Sequence, residues 1–404
     1  MEAKGEVEIS AVSVVLGDCD LLAEIFLLLA FPTDLVRAAA VCRRWLRAAS
    51  DPAFLRRFRD TNPPRLLGFY LTTFSTNSTN QFGVDFIPML PQPPELAAVV
   101  RRGGFGLDFY GSRSTRVMDC LNGRAIVYLF RDGDFTYGEH NPLHPARGLL
   151  TFPRLPMMDD RKHYIFRDFL SKECGNGLSY FWFELDYSGN EEKTTAHVYK
   201  LQGDAWIMQT SATTQISGLH SSMLYALSFF LVDDKIYMGI TVHSILVLDL
   251  TSSTFSAIEY PDTVAFDGEI MLSRADGSGV CLVNVNELQL RVWLHRGCDG
   301  SMGDWLLDNT ICLRDFCADL KISNSTTEND DEDDEDDAFI HAVGDNAEFV
   351  FLQVYGCVLY LDVRSSAVQK VYGPTQSNTR LSSTHPFVMP WPPILSCAAG
   401  MRSC

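Results

Sequence analysis

Between Leu16 and Arg59 the apolar residues recur at helical spacing, and from Arg65 onward they give way to short β-branched and aromatic runs cut by Gly, Asp, Asn and Ser. Leu21, Leu22, Ile25, Leu28 and Leu29 fall within an i, i+3, i+4, i+7, i+8 pattern, which predicts a helix with one apolar face. Asp18 or Asp20 stands at its N-cap, and Phe31-Pro32 ends it. Thr33 or Asp34 caps a second short helix, and Ala38, Cys42, Trp45, Leu46 and Ala49 repeat the spacing on the following one. At Ser50-Asp51-Pro52 a last turn restarts, with Pro52 where its missing N–H costs nothing. The expectation is a small all-α, three-helix module over residues 13–60, behind a structureless 1–12.

Asn62-Pro63-Pro64 breaks the helical pattern, so 61–65 reads as a stiff linker. Beyond it the alternation predicts a large all-β domain, 66–395, and a tail, 396–404. Hairpins stand out where 117–121 and 124–130 flank Asn122-Gly123, and where 229–232 and 236–240 flank Asp233-Asp234. Another joins 269–273 to 280–285. Sliding the chain along itself aligns Val198-Tyr199-Lys200-Leu201, Val247-Leu248-Asp249-Leu250, Arg291-Val292-Trp293-Leu294 and Tyr360-Leu361-Asp362-Val363. The offsets are 49, 44 and 69 residues, the last falling to 55 once a 14-residue insertion, 324–337, is removed. A period of roughly 40–50 residues with four strands per unit is the mark of β-propeller blades, about six to eight of them here.

Composition narrows the function. The 404 residues carry a net charge of −18, and eight of the acids form the unbroken run Asp330–Asp337. Such a run repels itself and is expected as a solvated loop, while the acidity of the whole argues against nucleic acid as a partner. Met1–Ser10 lacks a basic region and Leu21–Phe31 is too short and too interrupted for a bilayer, so neither secretion nor membrane anchoring is expected. Eleven scattered cysteines suit reduced thiols in the cytosol or nucleus.

Catalytic patterns are sparse. His140 and His144 have ligand-like spacing, but Pro142 and Pro145 exclude the helix that would align them. Cys312 and Cys317 lack a second pair nearby, and Cys397 and Cys404 fall in the tail. Gly103-Gly104-Phe105-Gly106 is followed by neither a Walker lysine nor the third dinucleotide glycine. Asn77-Ser78-Thr79 and Asn324-Ser325-Thr326 fit a glycosylation triplet that means little without a signal peptide. No cofactor and no metal are expected.

The helical segment resembles the F-box. The matching residues are Leu16-Gly17, Leu21-Leu22-Ala23-Glu24-Ile25-Phe26, Phe31-Pro32, Leu35, Val41-Cys42-Arg43-Arg44-Trp45, and Asp51-Pro52 with Phe54. Gly17 stands where that family has proline. The remainder resembles the F-box-associated β domain of a large plant family, notably of grasses, through Leu66–Tyr70, Met118–Arg124, Asn141-Pro142-Leu143, Val292-Trp293-Leu294 with Trp305, and His385–Pro393. The resemblance implies a non-catalytic substrate receptor: the F-box docks on a Skp-type adaptor and, through it, on cullin and RING subunits, while the β domain captures an unidentified target protein for ubiquitination. It assigns adaptor contact to Leu16, Leu22, Ile25, Leu29, Pro32, Leu35, Val41, Cys42 and Trp45, with Leu35 and Trp45 foremost. The competing expectations are an F-box scaffold outside any ligase, and a propeller enzyme with a metal or titratable cluster in its central channel.

Overall fold

The computed structural model describes residues 16, 18–29, 32–62, 65–75, 82–131, 133–155, 164–174, 177–188, 193–215, 229–241, 243–264, 269–275, 279–295, 304–318, 338–373 and 379–389. Gly17, Pro63, Pro64, both glycosylation triplets, the acidic run Asp330–Asp337, Cys397 and Cys404 lie outside them. Two compact units emerge, one of residues 1–66 with 388–404 and one of residues 67–387.

Among the described residues of the first unit there are four short helices where three were expected: α1 (Cys19–Leu27), α2 (Pro32–Ala39), α3 (Arg43–Ala49) and α4 (Pro52–Thr61). Asp18 caps α1, its carboxylate accepting the Asp20 and Leu21 N–H groups at 2.8 and 3.1 Å. Asp51 caps α4 in the same way, at 2.9 Å from the N–H groups of both Ala53 and Phe54. Pro32 opens α2, one residue ahead of the expected cap, because a proline at the first helical position surrenders no hydrogen bond. The run 38–49 is not continuous: the chain turns at Ala40-Val41 and Cys42 takes an extended conformation, φ −160°, before α3 begins.

The second unit is built almost wholly of antiparallel strands. After β1 (Leu66–Ser75) and β2 (Phe82–Pro88) comes a helix, α5 (Pro94–Arg102), that the strand-rich pattern concealed. Five four-stranded sheets follow in strict succession. They are β3 (Ser114–Leu121), β4 (Arg124–Arg131), β5 (Asp134–His140), β6 (Leu149–Thr151); β7 (Tyr164–Cys174), β8 (Gly177–Ser188), β9 (Lys193–Gln202), β10 (Ala205–Gln215); and β11 (Phe229–Val232), β12 (Lys235–Met238), β13 (Ser244–Asp249), β14 (Thr254–Glu259). The last two are β15 (Glu269–Ala275), β16 (Gly279–Asn286), β17 (Gln289–His295), β18 (Trp305–Cys312), then β19 (Ala338–Val343), β20 (Phe349–Val354), β21 (Cys357–Asp362), β22 (Ala367–Tyr372). Finally β23 (Thr379–Val388) returns to hydrogen-bond with β1, giving a sixth sheet in the order β2-β1-β23.

This is a six-bladed β-propeller whose ring is closed by pairing the start of the β domain with its end. The first strands β3, β7, β11, β15 and β19 contact one another in turn, as strands around an axis must. The four aligned sequence segments lie in or run just past β9, β13, β17 and β21, the third strand of four successive blades. Second strands are sandwiched on both faces, so β16 is buried at every position but its last. Asn122 and Gly123, with φ of 49° and 69°, make the left-handed turn that the tight hairpin demands, and Asp233 and Asp234 do the same at 46° and 61°. Between the first two four-stranded blades, Phe152 stacks on Phe169 with centroids 5.3 Å apart, and Arg124, Glu139 and Tyr180 form a buried polar clamp.

Candidate functional site

Two surfaces carry chemistry, one in each unit. In the helical unit, Leu22 and Phe26 of α1 turn inward with Leu35, Ala39, Ala49, Phe54 and Phe58 to make its core. The Phe26 ring meets Trp45 edge-on at 5.4 Å and Phe54 at 6.1 Å. A helix advances 100° per residue, so burying Leu22 and Phe26 rotates Leu21, Ile25 and Leu28 outward. They are 45%, 37% and 83% exposed, an apolar stripe at i, i+4, i+7. Val41, 65% exposed, and the exposed Cys42 stand at the turn before α3. Large aliphatic side chains left in water on a unit whose own core is complete are the ordinary sign of a covered interface.

In the propeller, a cavity of about 240 Å³ lies on the axis, walled by all five first strands. A β-bulge at Met118 breaks the register of β3 between Val117 and Asp119. Asp119 lines the cavity and accepts a hydrogen bond from Ser171 Oγ on β7. Asp168, also on β7, accepts the N–H of Phe169 at 2.8 Å. Loss of hydration raises the pKa of both carboxyls; for Asp168 it reaches about 7, with the neighbouring Asp119 charge adding to the rise. Arg274 on β15 is the cation that opposes the rise at Asp119, and Arg116 on β3 pulls Asp168 down weakly. Among the described residues no three His, Cys, Asp or Glu side chains are grouped closely enough to hold a metal ion.

Other patterns in the sequence resolve into structure. His140 is buried at the end of β5, its Nδ1 accepting from the Tyr110 hydroxyl and its Nε2–H donating to Gly104 O, both at 2.8 Å. Burial lowers its pKa to about 4, which holds the ring neutral. The glycine run thus serves to bring a backbone carbonyl to His140. Cys312 is exposed and Cys317 is buried.

Comparison with known families decides the class. A family model described as F-box-like matches residues 19–61, and one described as F-box protein AT5G49610-like, beta-propeller, matches residues 116–395. The chain belongs to this F-box β-propeller family. No curated protein matches the sequence. Among solved structures it is similar to a six-bladed fungal lectin from Aleuria aurantia, at TM-score 0.37 and 12% identity over 65% of this chain and 79% of that one. It is also similar to a GH93 α-L-arabinofuranosidase of Fusarium graminearum, at 0.32 and 8% over 65% and 80%. The extracellular domain of the one-component system BT4673 from B. thetaiotaomicron matches at 0.32 and 8% over 63% of this chain, which spans 27% of that protein.

Within the F-box the nine residues assigned to adaptor contact separate. Leu22 and Leu35 have no exposed surface in this unit and lie in one core cluster with Phe26, Phe54 and Phe58. Leu16, Leu29 and Trp45 are half-buried against that core. Ile25, Val41 and Cys42 face solvent, while the Pro32 side chain lies outside the described residues. Leu21 and Leu28, not singled out as contacts, are among the exposed apolar residues of the F-box. The signal for them was Phe26 four residues after Leu22, a pair that competes with Leu21–Ile25 for the inward face.

Proposed function

We propose that this chain is the substrate-recognition subunit of a Skp–cullin–F-box ubiquitin ligase, with α1 and the α2–α3 turn docking on a Skp-type adaptor and the propeller holding the target. The observation that carries the reading is the exposed stripe Leu21, Ile25 and Leu28 on a module identified as an F-box. A stripe of that kind is stabilised when a partner removes it from water, at about 25 cal/mol for each Å² of apolar surface buried. The acidic propeller then raises the effective concentration of a bound target near ubiquitin carried elsewhere in the complex, and needs no acid, base or nucleophile of its own. The axial carboxylates are a feature an enzyme reading would use, and the binding role developed below employs them without a bond-breaking step.

The test is capture of a purified Skp-type adaptor by the full chain, read as a dissociation constant. Replacing Ile25 and Leu28 by Glu should weaken capture by roughly 30-fold or more, the equivalent of one lost hot spot of about 2 kcal/mol. The propeller should keep its near-ultraviolet circular dichroism. Wild-type chain that fails to bind adaptor, or a double variant that binds as well as wild type, overturns the docking role.

A further inference from the structure

The axial cavity lies in the propeller unit, and its walls are unevenly satisfied. Asp119 has the Ser171 hydroxyl and the nearby charge of Arg274. Asp168 has neither: one carboxyl oxygen takes the N–H of its sequence neighbour, and the other has no hydrogen-bond partner among the described residues. The Arg116 guanidinium sits over the Phe82 ring, 4.6 Å from its centroid, rather than on Asp168. A second group points the same way. Ser273 on β15 lines the cavity at 6% exposure, and its hydroxyl makes no hydrogen bond. Buried polar groups without partners are uncommon, and the Ser273 hydroxyl on this wall is open to a hydrogen bond from whatever enters the cavity. The ligand chemistry follows from what these groups lack. A carboxylate with only the weak counter-charge of Arg116, on the same cavity wall as an unclaimed hydroxyl, calls for a cation with several N–H donors, seated away from Arg274. With room of about 240 Å³ and no metal-ligating trio, the fit is an organic cation on a slender stem.

We propose that the propeller axis is a side-chain pocket that receives one arginine or lysine from an extended segment of the recruited protein, its cationic head on Asp168 and a further N–H on Ser273. The inference rests on the reading that the propeller captures a target, and it adds the chemistry by which it does so. The acidity of the chain suits a basic segment approaching the rim around that side chain. Desolvation costs Asp168 its charge in the empty pocket, and an incoming cation restores it.

The experiment uses the immobilised full chain and heptapeptide libraries whose central residue is fixed in turn as Arg, Lys, citrulline, Gln or Glu with mixed flanks. Arg or Lys libraries should be retained at least tenfold above citrulline and Gln. Asp168→Asn should bring that ratio within twofold of unity, and Asp262→Asn, an exposed site away from the cavity, should keep it. Equal retention of all libraries by wild type, or a preference that survives Asp168→Asn, overturns the proposal. Because the variant could misfold, unmutated protein supplies a second arm. N-acetyl-arginine amide at millimolar concentration should displace the Arg library while N-acetyl-citrulline amide does not, and absence of displacement overturns the pocket. Free N-acetyl-arginine amide should bind at least 100-fold more weakly than the best Arg peptide; equal affinity overturns the peptide source. Adaptor capture measured on the same preparations separates the failures. Capture without basic preference removes the pocket alone, and basic preference without capture removes the ligase reading alone.

Discussion

Replacing Asp168 by Asn measures directly how much the axial carboxylate costs the empty propeller. Its carboxyl titrates at about 7 in the folded chain against an ordinary 3.8. Each tenfold change in proton affinity is 1.36 kcal/mol, so ionising it inside the fold costs up to about 4 kcal/mol. That is a ceiling, since water admitted to the cavity screens part of it. The sign follows from the protons held. Between pH 3.8 and 7 the unfolded chain has released this proton and the folded chain still binds it, so stability falls as pH rises across that window and levels off above it. Asn cannot ionise. The variant should therefore gain on wild type by up to about 1.4 kcal/mol per pH unit, roughly 2 kcal/mol between pH 5 and 7, and level off by pH 8. Urea melts followed by near-ultraviolet circular dichroism of the β domain at pH 5, 6, 7 and 8 give the difference, with titrating groups remote from the cavity cancelling. Parallel stability curves for the two proteins would mean a solvated, ordinary carboxylate, and the account of the cavity would be wrong.

Three further outcomes are expected. Leu35→Ala, in the sealed F-box core, should cost about 2–5 kcal/mol and unfold the helical unit, seen as lost α-helical ellipticity with the β-sheet signal retained. Glu139→Gln should cost about 3 kcal/mol, because Arg124, 3.0 Å away in a buried pair, loses its counter-charge; the propeller's thermal midpoint reports it. Asp51→Ala should cost about 1 kcal/mol locally, which appears as roughly fivefold faster hydrogen exchange at the Ala53 and Phe54 amides.

Much of this protein is local and therefore legible in its residues. Helix rhythm, the Asp18 cap, the restart at Asp51-Pro52 and the Asn122-Gly123 turn act within a few residues, so they announce α1, the turn from which α4 grows, and the β3–β4 hairpin without reference to anything distant. The blade period survived because each four-stranded unit is folded by its own neighbours, and the recurring third strands carry that signal along the chain. The α2–α3 break at Val41-Cys42 escaped because the apolar spacing runs on across it.

What the tertiary structure alone decided is which apolar residue faces in and which polar residues meet. Leu21 and Leu22 are adjacent and equally greasy; packing against Phe54 and Phe58 buried one and left the other in water. Blade number depended on β23 finding β1 across more than 300 residues, a pairing with no local signature. Asp119, Asp168 and Ser273 come from three blades, and a bulge interrupts the register of β3 beside the first of them, so no spacing in the sequence could place them around one cavity.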